Sequence, residues 1–395
     1  MDLPVPDHIR PLRDRLLAFV TDRVIPVEKT LELGKTHPDG KRELERLQAE
    51  AKAEGLWALG HPTSIGGGGL PLMDYVYINE VIGMSEYALY VFGTHSMHDC
   101  LMLMEFASPE WRERYLLPLA SGEIPGPTFG MTEKSVSSSD PTQLRTTAVL
   151  EGDEWVINGE KWFTTHAHSA RYTVVMARTE PDAPVHDSFS MIIVPTDHPG
   201  YEILRAVPVM GAHDGDHCEV RYDDVRVPAG NLLGERGAGF RIAQRRLGPG
   251  RILHVMRFLG QAERAFDLMC GRAWERTVFG GPLAEKQLIQ QMVFDTAAEI
   301  STVRLLTLEA ARRLDAGESA RVEISLAKVL GARMLHNSID RAVQVHGALG
   351  LTDDLPLERM LRMARAGRIY DGPDETHIQT VGRLLLRPYQ QVAAT

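Results

Sequence analysis

Trp155-Val156-Ile157-Asn158-Gly159-Glu160-Lys161-Trp162-Phe163-Thr164-Thr165 is where the period of the chain changes. Two apolar runs flank an Asn-Gly pair, and both residues of that pair tolerate the positive φ of a two-residue turn. A β-hairpin centred on Asn158-Gly159 is therefore predicted. Residues 173–177 and 190–194 continue as short β-type runs. Val220, Tyr222, Val225 and Val227 come close to alternation, with Asp223-Asp224 expected as a bulge or turn. Together these runs predict a small β domain over residues 126–236.

Either side of that zone the apolar period is helical. In residues 1–125, Leu12, Leu16, Phe19 and Val20 recur at three to four residues, and 43–54 is rich in helix formers. Residues 74–84 and 99–106 read as further helices, and Pro62 with the glycine run 66–69 marks a loop. In residues 237–395, Ile252, Val255, Leu259, Ala262, Phe266 and Met269 form one stripe. Leu288, Met292, Val303, Leu306 and Ala310 belong to a second helix. Val322, Leu326, Val329 and Leu330 start a third, expected to end near Gly347. Long helices with short connections predict an up-down bundle. The expected class is mainly α with a central β domain: an N-terminal helical domain, a small β-barrel or sheet, and a C-terminal four-helix bundle.

Composition narrows the function. A chain of 395 residues exceeds one small core, so two or three packed units are expected. A net charge of -10 with no basic run argues against nucleic acid, which needs a basic face. Cys100, Cys218 and Cys270 are far apart and odd in number, which fits neither a disulfide framework nor a zinc site and suggests a reducing compartment. The N-terminus lacks the pattern of a secretory or transit peptide, no apolar run reaches 18 residues, and Val-Ala-Ala-Thr is not a peroxisomal tripeptide. A cytoplasmic location without a membrane span is expected. No Rossmann glycine fingerprint, P-loop or nucleophile elbow is present, and the glycine run 66–69 lacks the Lys-Ser/Thr that would follow in a phosphate cradle. His95/His98 and His166/His168 have metal-pair spacing but no evident third ligand, so no metal is expected.

Several motifs carry chemistry or are merely structural. Phe129-Gly130-Met131-Thr132-Glu133 through Ser138-Ser139-Asp140 is either a Ser-rich surface turn or a set of small donors that can follow an anionic ligand closely. Trp162 and Phe163 read as core or as a stacking platform. Arg276 in Arg-Thr-Val-Phe-Gly280, followed by Gln287, reads as a solvated charge at a helix end or as a ligand contact. Gln344-Val-His-Gly347 follows. Arg251 in Gly248-Pro-Gly-Arg251 is predicted to start a long helix, and Asp371 lies in Arg368-Ile-Tyr-Asp-Gly-Pro-Asp-Glu375, which by itself is a turn.

In that order these motifs resemble the acyl-CoA dehydrogenase family along essentially the whole chain. They are closest to the subgroup often fused to a kinase-like domain. Like that subgroup, this chain has one extra residue between Glu133 and Asp140 and contains the string Asp-Gly-Pro-Asp-Glu; Lys134 stands where the wider family has Pro. The resemblance implies FAD as cofactor, with Met131, Thr132 and Ser139 as flavin contacts and Ser139 also near the thioester. It puts Phe163 where a Trp usually shields the flavin, and Thr165 at the flavin's redox nitrogen. Arg276, Phe279, Gln287, Gln344 and Gly347 would reach the flavin's diphosphate and adenosine in a neighbouring subunit, which implies a homo-oligomer, dimer or tetramer. Ala348 replaces a second glycine there.

The same resemblance sets Arg251 beside the substrate and makes Asp371 the base. Gly372, Pro373 and Glu375 would line the thioester and flavin. Gly250 occupies the position where some relatives carry an alternative catalytic Glu. The implied reaction is α,β-dehydrogenation of an acyl-CoA to a trans-2-enoyl-CoA, with electrons passed to an electron-transfer flavoprotein. Asp is shorter than the usual Glu, so its oxygens sit ~1 Å or more farther back, a distance that matters for a reacting group. Two other readings share the fold: a nitroalkane-oxidase-like flavoenzyme, also with an Asp base, and a non-catalytic helical scaffold.

Overall fold

A computed structural model describes residues 5–34, 36–210 and 216–392. The chain forms two compact units. One takes Met1–Gly60, Gly69–Phe92 and Gly250–Thr395; the other takes His61–Gly68 and Gly93–Pro249.

The second unit is built on a sheet. Its strands are β1 (Thr128–Gly130), β2 (Thr147–Glu151), β3 (Glu154–Thr165), β4 (Tyr172–Arg178), β5 (Phe189–Pro195), β6 (Tyr201–Ala206), β7 (His217–Pro228) and β8 (Leu232–Leu233). The order is β6-β7-β3-β2-β4-β5-β8, with β1 added in parallel to β4. Side chains on β4 and β5 alternate between two cores. Tyr172, Val174, Met176, Met191 and Ile193 pack with Leu103, Trp111 and Tyr115. Val175, Ala177, Ile192 and Val194 pack with Trp155, Ile157, Val220 and Tyr222. Burial on both faces explains why these two strands are apolar almost throughout.

The hairpin predicted at Asn158-Gly159 does not form. Both residues lie inside β3, where Asn158 pairs with Thr147 and Gly159 with Tyr222. The turn is at Gly152, whose φ is 61°, so that Glu151 pairs with Glu154. The Asn-Gly pair serves close packing instead. A Cβ on Gly159 would stand 2.5 Å from Thr146 Oγ1. Asn158 Oδ1 accepts from the Asp224 amide at 2.9 Å, which secures the bulge at Asp223-Asp224 expected from sequence. The register shifts there, between the Ile157–Val225 and Gly159–Tyr222 pairs.

In the other unit, helices Arg10–Phe19, Pro38–Ala53 and Leu72–Gly83 come from the N-terminal part. The later helices Gln287–Asp315, Arg321–His346 and Asp374–Val392 join residues 250–275 of the long helix Gly239–Glu275. Gln287–Asp315 packs on both Arg321–His346 and Leu72–Gly83, and Arg321–His346 packs on Asp374–Val392. Two glycines let helices cross at backbone contact: a Cβ on Gly260 would fall 1.9 Å from Glu80 O, and one on Gly83 2.4 Å from Arg257 Cα.

One expectation is corrected here. Arg251 does not start its helix, which begins at Gly239 and contains Pro249. Gly-Pro-Gly reads as a breaker, but Ile242 and Ala243 before it and Ile252 and Val255 after it are all buried and hold the helix through it. Leu288, Met292, Val303, Leu306 and Ala310 share helix Gln287–Asp315 as expected; Leu288 is 78% exposed, because the buried face of that helix begins at Thr296. Among the described residues no helix is long and apolar enough to cross a membrane, and no group of side chains has metal-site geometry.

Candidate active-site residues

In the sheet-containing unit the loop after β1 is fixed from inside. The buried Glu133 carboxylate accepts from the Arg145 amide at 2.7 Å, the Thr146 amide at 2.9 Å, Thr146 Oγ1 at 2.7 Å and Lys161 Nζ at 2.8 Å. Lys161 also donates to Met131 O at 3.0 Å. Burial works against the Glu133 anion, but Lys161 and the amide donors outweigh it and keep its pKa below the usual carboxylate value. Burial also pulls the Lys161 ammonium down to about 8, against the pull of Glu133. Both groups are charged at neutral pH.

Thr132 Oγ1 donates to Trp162 O at 2.5 Å, and the Trp162 amide donates back to Thr132 O at 3.0 Å. Phe163 follows at φ 50°, a rare conformation for a bulky residue, and the residue is 41% exposed. That ring meets Trp162 edge-on at 4.7 Å and His217 at 5.4 Å. Thr165 Oγ1 is hydrogen-bonded to His217 Nδ1 at 2.9 Å. Met131, Thr132, Phe163 and Thr165 are therefore parts of one constellation along two adjoining segments. Ser139 is exposed on the same loop and hydrogen-bonds Ser137. Asp140 caps a short 3-10 turn through Thr142 and Gln143.

In the helical unit the Asp371 turn is clamped at its carbonyls. Asp371 has φ 54° and Gly372 φ 100°. Arg251 Nε donates to Asp371 O at 2.9 Å, and His377 Nε2 donates to the same oxygen at 3.1 Å. Lys328 Nζ donates to Gly372 O at 2.6 Å. His377 Nδ1 faces Ser325 Oγ at 3.2 Å. Nε2 carries a proton to reach the carbonyl, and desolvation followed by the Arg251 charge depresses the ring to about 4, which keeps it neutral at pH 7. Desolvation brings buried Lys328 down to about 8. The buried Asp374 carboxylate, at the start of helix Asp374–Val392, takes Arg368 at 2.9 Å and Arg333 at 3.3 Å.

The Asp371 side chain points back to the long helix. Its Oδ2 lies 3.3 Å from His254 Nε2, and a Cβ on Gly250 would come 3.6 Å from that oxygen. Arg251, Asp371 and Gly372 are thus brought together, with Pro373 and exposed Glu375 continuing the same turn. Sequence reasoning missed His254, Arg257, Lys328 and His377. One signal was available: Arg251, His254 and Arg257 are spaced three apart on a helix whose other face is apolar.

The remaining expected residues sit elsewhere. Arg276 follows the long helix and is exposed; Phe279, at φ 47° and 94% exposed, tips the small hairpin of β9 (Thr277–Val278) and β10 (Gly281–Pro282). Gln287 is exposed at the first position of its helix, and Gln344 and Gly347 are exposed at the end of Arg321–His346.

Comparison with known proteins agrees along the chain. The N-terminal, middle and C-terminal domain models of acyl-CoA dehydrogenase match residues 6–123, 128–225 and 237–386. The chain is 42% identical to the probable acyl-CoA dehydrogenase FadE2 of Mycobacterium tuberculosis, over 94% of this chain and 93% of that protein. It is 40% identical to mouse acyl-CoA dehydrogenase family member 10 over 96% of its own length, but it spans only 37% of that longer protein. The solved structure of a putative acyl-CoA dehydrogenase from Mycobacterium abscessus superposes with a TM-score of 0.91 at 38% identity, covering 98% of this chain and all of that one. The chain belongs to the acyl-CoA dehydrogenase family.

Proposed function

We propose that this member of the acyl-CoA dehydrogenase family of flavoprotein oxidoreductases binds FAD, removes two hydrogens from an acyl-CoA to give the trans-2-enoyl-CoA, and passes the electrons to an electron-transfer flavoprotein. The residues present fit a flavin. Phe163 offers an exposed aromatic face from a strained backbone, a combination that recurs at ligand sites. Met131 and Thr132 offer backbone and hydroxyl groups beside it, and Thr165 adds a second hydroxyl. Ser139 would contribute from the loop. When bound, FAD supplies the acceptor for the substrate's β-hydrogen and its electron pair.

The chain's own chemistry rests on Asp371. The observation that carries this reading is its clamped left-handed backbone: Arg251 and His377 donate to its carbonyl, so the carboxylate is presented from a fixed base. A carboxylate oxygen of Asp371 takes the α-proton of the thioester. Fixing the acceptor in place lowers the entropic cost of that transfer. Gly250 carries no carboxylate, which leaves Asp371 as the base. Arg251, Gly372, Pro373 and Glu375 would contact the substrate or cofactor around it.

Oligomerisation belongs to the same reading. Phe279, Arg276, Gln287, Gln344 and Gly347 are exposed here. They would serve the cofactor of a second copy in a dimer or tetramer. The three free cysteines are consistent with a reducing, cytoplasmic setting.

The test is product chemistry. FAD-loaded protein is incubated with straight- and branched-chain acyl-CoAs and an electron acceptor, and the thioesters are read by mass spectrometry. Loss of two hydrogens from a thioester is the expected result. Unchanged thioesters across the panel, with FAD bound, would contradict the reading.

A further inference from the structure

Arg257 and His254 lie three residues apart on one face of the long helix. Arg257 Nη2 is 2.7 Å from His254 Nδ1, and His254 Nε2 is 3.3 Å from Asp371 Oδ2. A guanidinium can only donate. Nδ1 is therefore the acceptor, and the ring proton is on Nε2, facing the carboxylate. We propose that Arg257 and His254 are positioning residues for Asp371: the guanidinium holds the imidazole in its neutral Nε2–H form, and that N–H holds the carboxylate in the orientation from which it takes the α-proton. This rests on the reading of Asp371 as the base.

The surroundings support a neutral ring. The charged or titratable groups facing His254 are Arg257 from its own helix, Asp371 from the turn and Lys328 from helix Arg321–His346, and the Tyr370 ring is 4.9 Å away. Desolvation and then the Arg257 charge lower the His254 pKa, and Asp371 only partly offsets them. Asp371 is also faced by Arg251 and by His377. A cationic imidazole would stabilise the carboxylate anion strongly and blunt it as a base, whereas a neutral donor orients it at lower cost in basicity. With Nε2 protonated and Nδ1 already accepting, the ring has no place for the substrate's proton, so that proton stays on Asp371. Orientation matters more for Asp than for Glu, because the shorter side chain has less reach to correct a misplaced oxygen.

The test uses FAD-loaded enzyme and follows anaerobic flavin reduction against pH, with the straight-chain acyl-CoA that reduces wild type fastest. His254→Leu is expected to slow reduction about 100-fold at unchanged acyl-CoA affinity. Its acid limb is expected to move to higher pH, since a carboxylate that loses a donor holds its proton more tightly. His254→Gln keeps an N–H near the Nε2 position and cannot ionise; it is expected to recover most of the rate. Arg257→Met frees Nδ1 and removes a charge that depresses the ring, so the His254 ionisation is expected to move up and appear as a new limb in the profile. Wild-type rate and limb in His254→Leu would overturn the proposal, as would His254→Gln being as slow as His254→Leu. If His254→Leu fails to retain FAD, an unchanged profile in Arg257→Met overturns it. Asp371→Asn separates the two claims: a variant that still reduces at the wild-type rate removes the base reading itself, and wild type reduced by no thioester removes both.

Discussion

The two units secure their site loops by opposite means. In the sheet-containing unit, a buried ion pair, Glu133 with Lys161, fixes the loop from inside through the Arg145 and Thr146 amides and Met131 O, while Phe163 above it stays exposed. In the helical unit the cations Arg251 and Lys328, with neutral His377, donate to backbone carbonyls, and Asp371 Oδ2 lies 3.3 Å from His254 Nε2. A platform can be held by charges beneath it. At Asp371 the hydrogen bonds of Arg251, Lys328 and His377 go to the backbone of the turn rather than to the carboxylate.

The largest break in this comparison is Lys161→Met, which leaves the Glu133 carboxylate buried without its cation. A loss of about 3–5 kcal/mol is expected in denaturant unfolding, with loss of bound FAD. Lys328→Met, which removes a donor to a carbonyl, is expected to cost less, about 1.5–3 kcal/mol, and to leave FAD bound.

Acid sharpens the comparison, because each unit holds a histidine depressed to about 4. His61 in the sheet-containing unit and His377 in the helical unit are each lowered by burial to about 4. Between pH 6.5 and 4 the unfolded chain protonates these rings and the folded chain does not. Their contribution is full above pH 6.5 and is lost as pH falls towards 4, by up to about 3 kcal/mol each. Urea midpoints measured across that range for wild type and His377→Gln should show a shallower acid loss in the variant.

Two glycines in one helix give the smaller effects. Gly260→Ala forces a methyl into the Glu80 carbonyl and should lower stability by about 1–3 kcal/mol. Gly271→Ala meets nothing within 4 Å and should raise it by up to about 1 kcal/mol. Thermal unfolding of the pair checks whether contact or propensity decides.

The order of helices, strands and helices was legible because period survives without tertiary detail: residues 173–177, 190–194 and the Ile252–Met269 stripe read directly. Asn158-Gly159 misled because tolerance of positive φ and lack of a side chain serve a close strand contact as well as a turn. Gly248-Pro249-Gly250 misled because burial on both sides overrode local breaking signals. Asp371 was legible as a motif beside its family. His254 and Arg257 were not, since spacing along a helix does not say which loop its face meets.

The most direct test is anaerobic mixing of FAD-loaded wild type and Asp371→Ala with a panel of acyl-CoAs, watching flavin absorbance. Bleaching of wild type by at least one thioester, lost in the variant while that thioester still binds, is the expected result. Bleaching of Asp371→Ala at a rate near wild type would contradict the account.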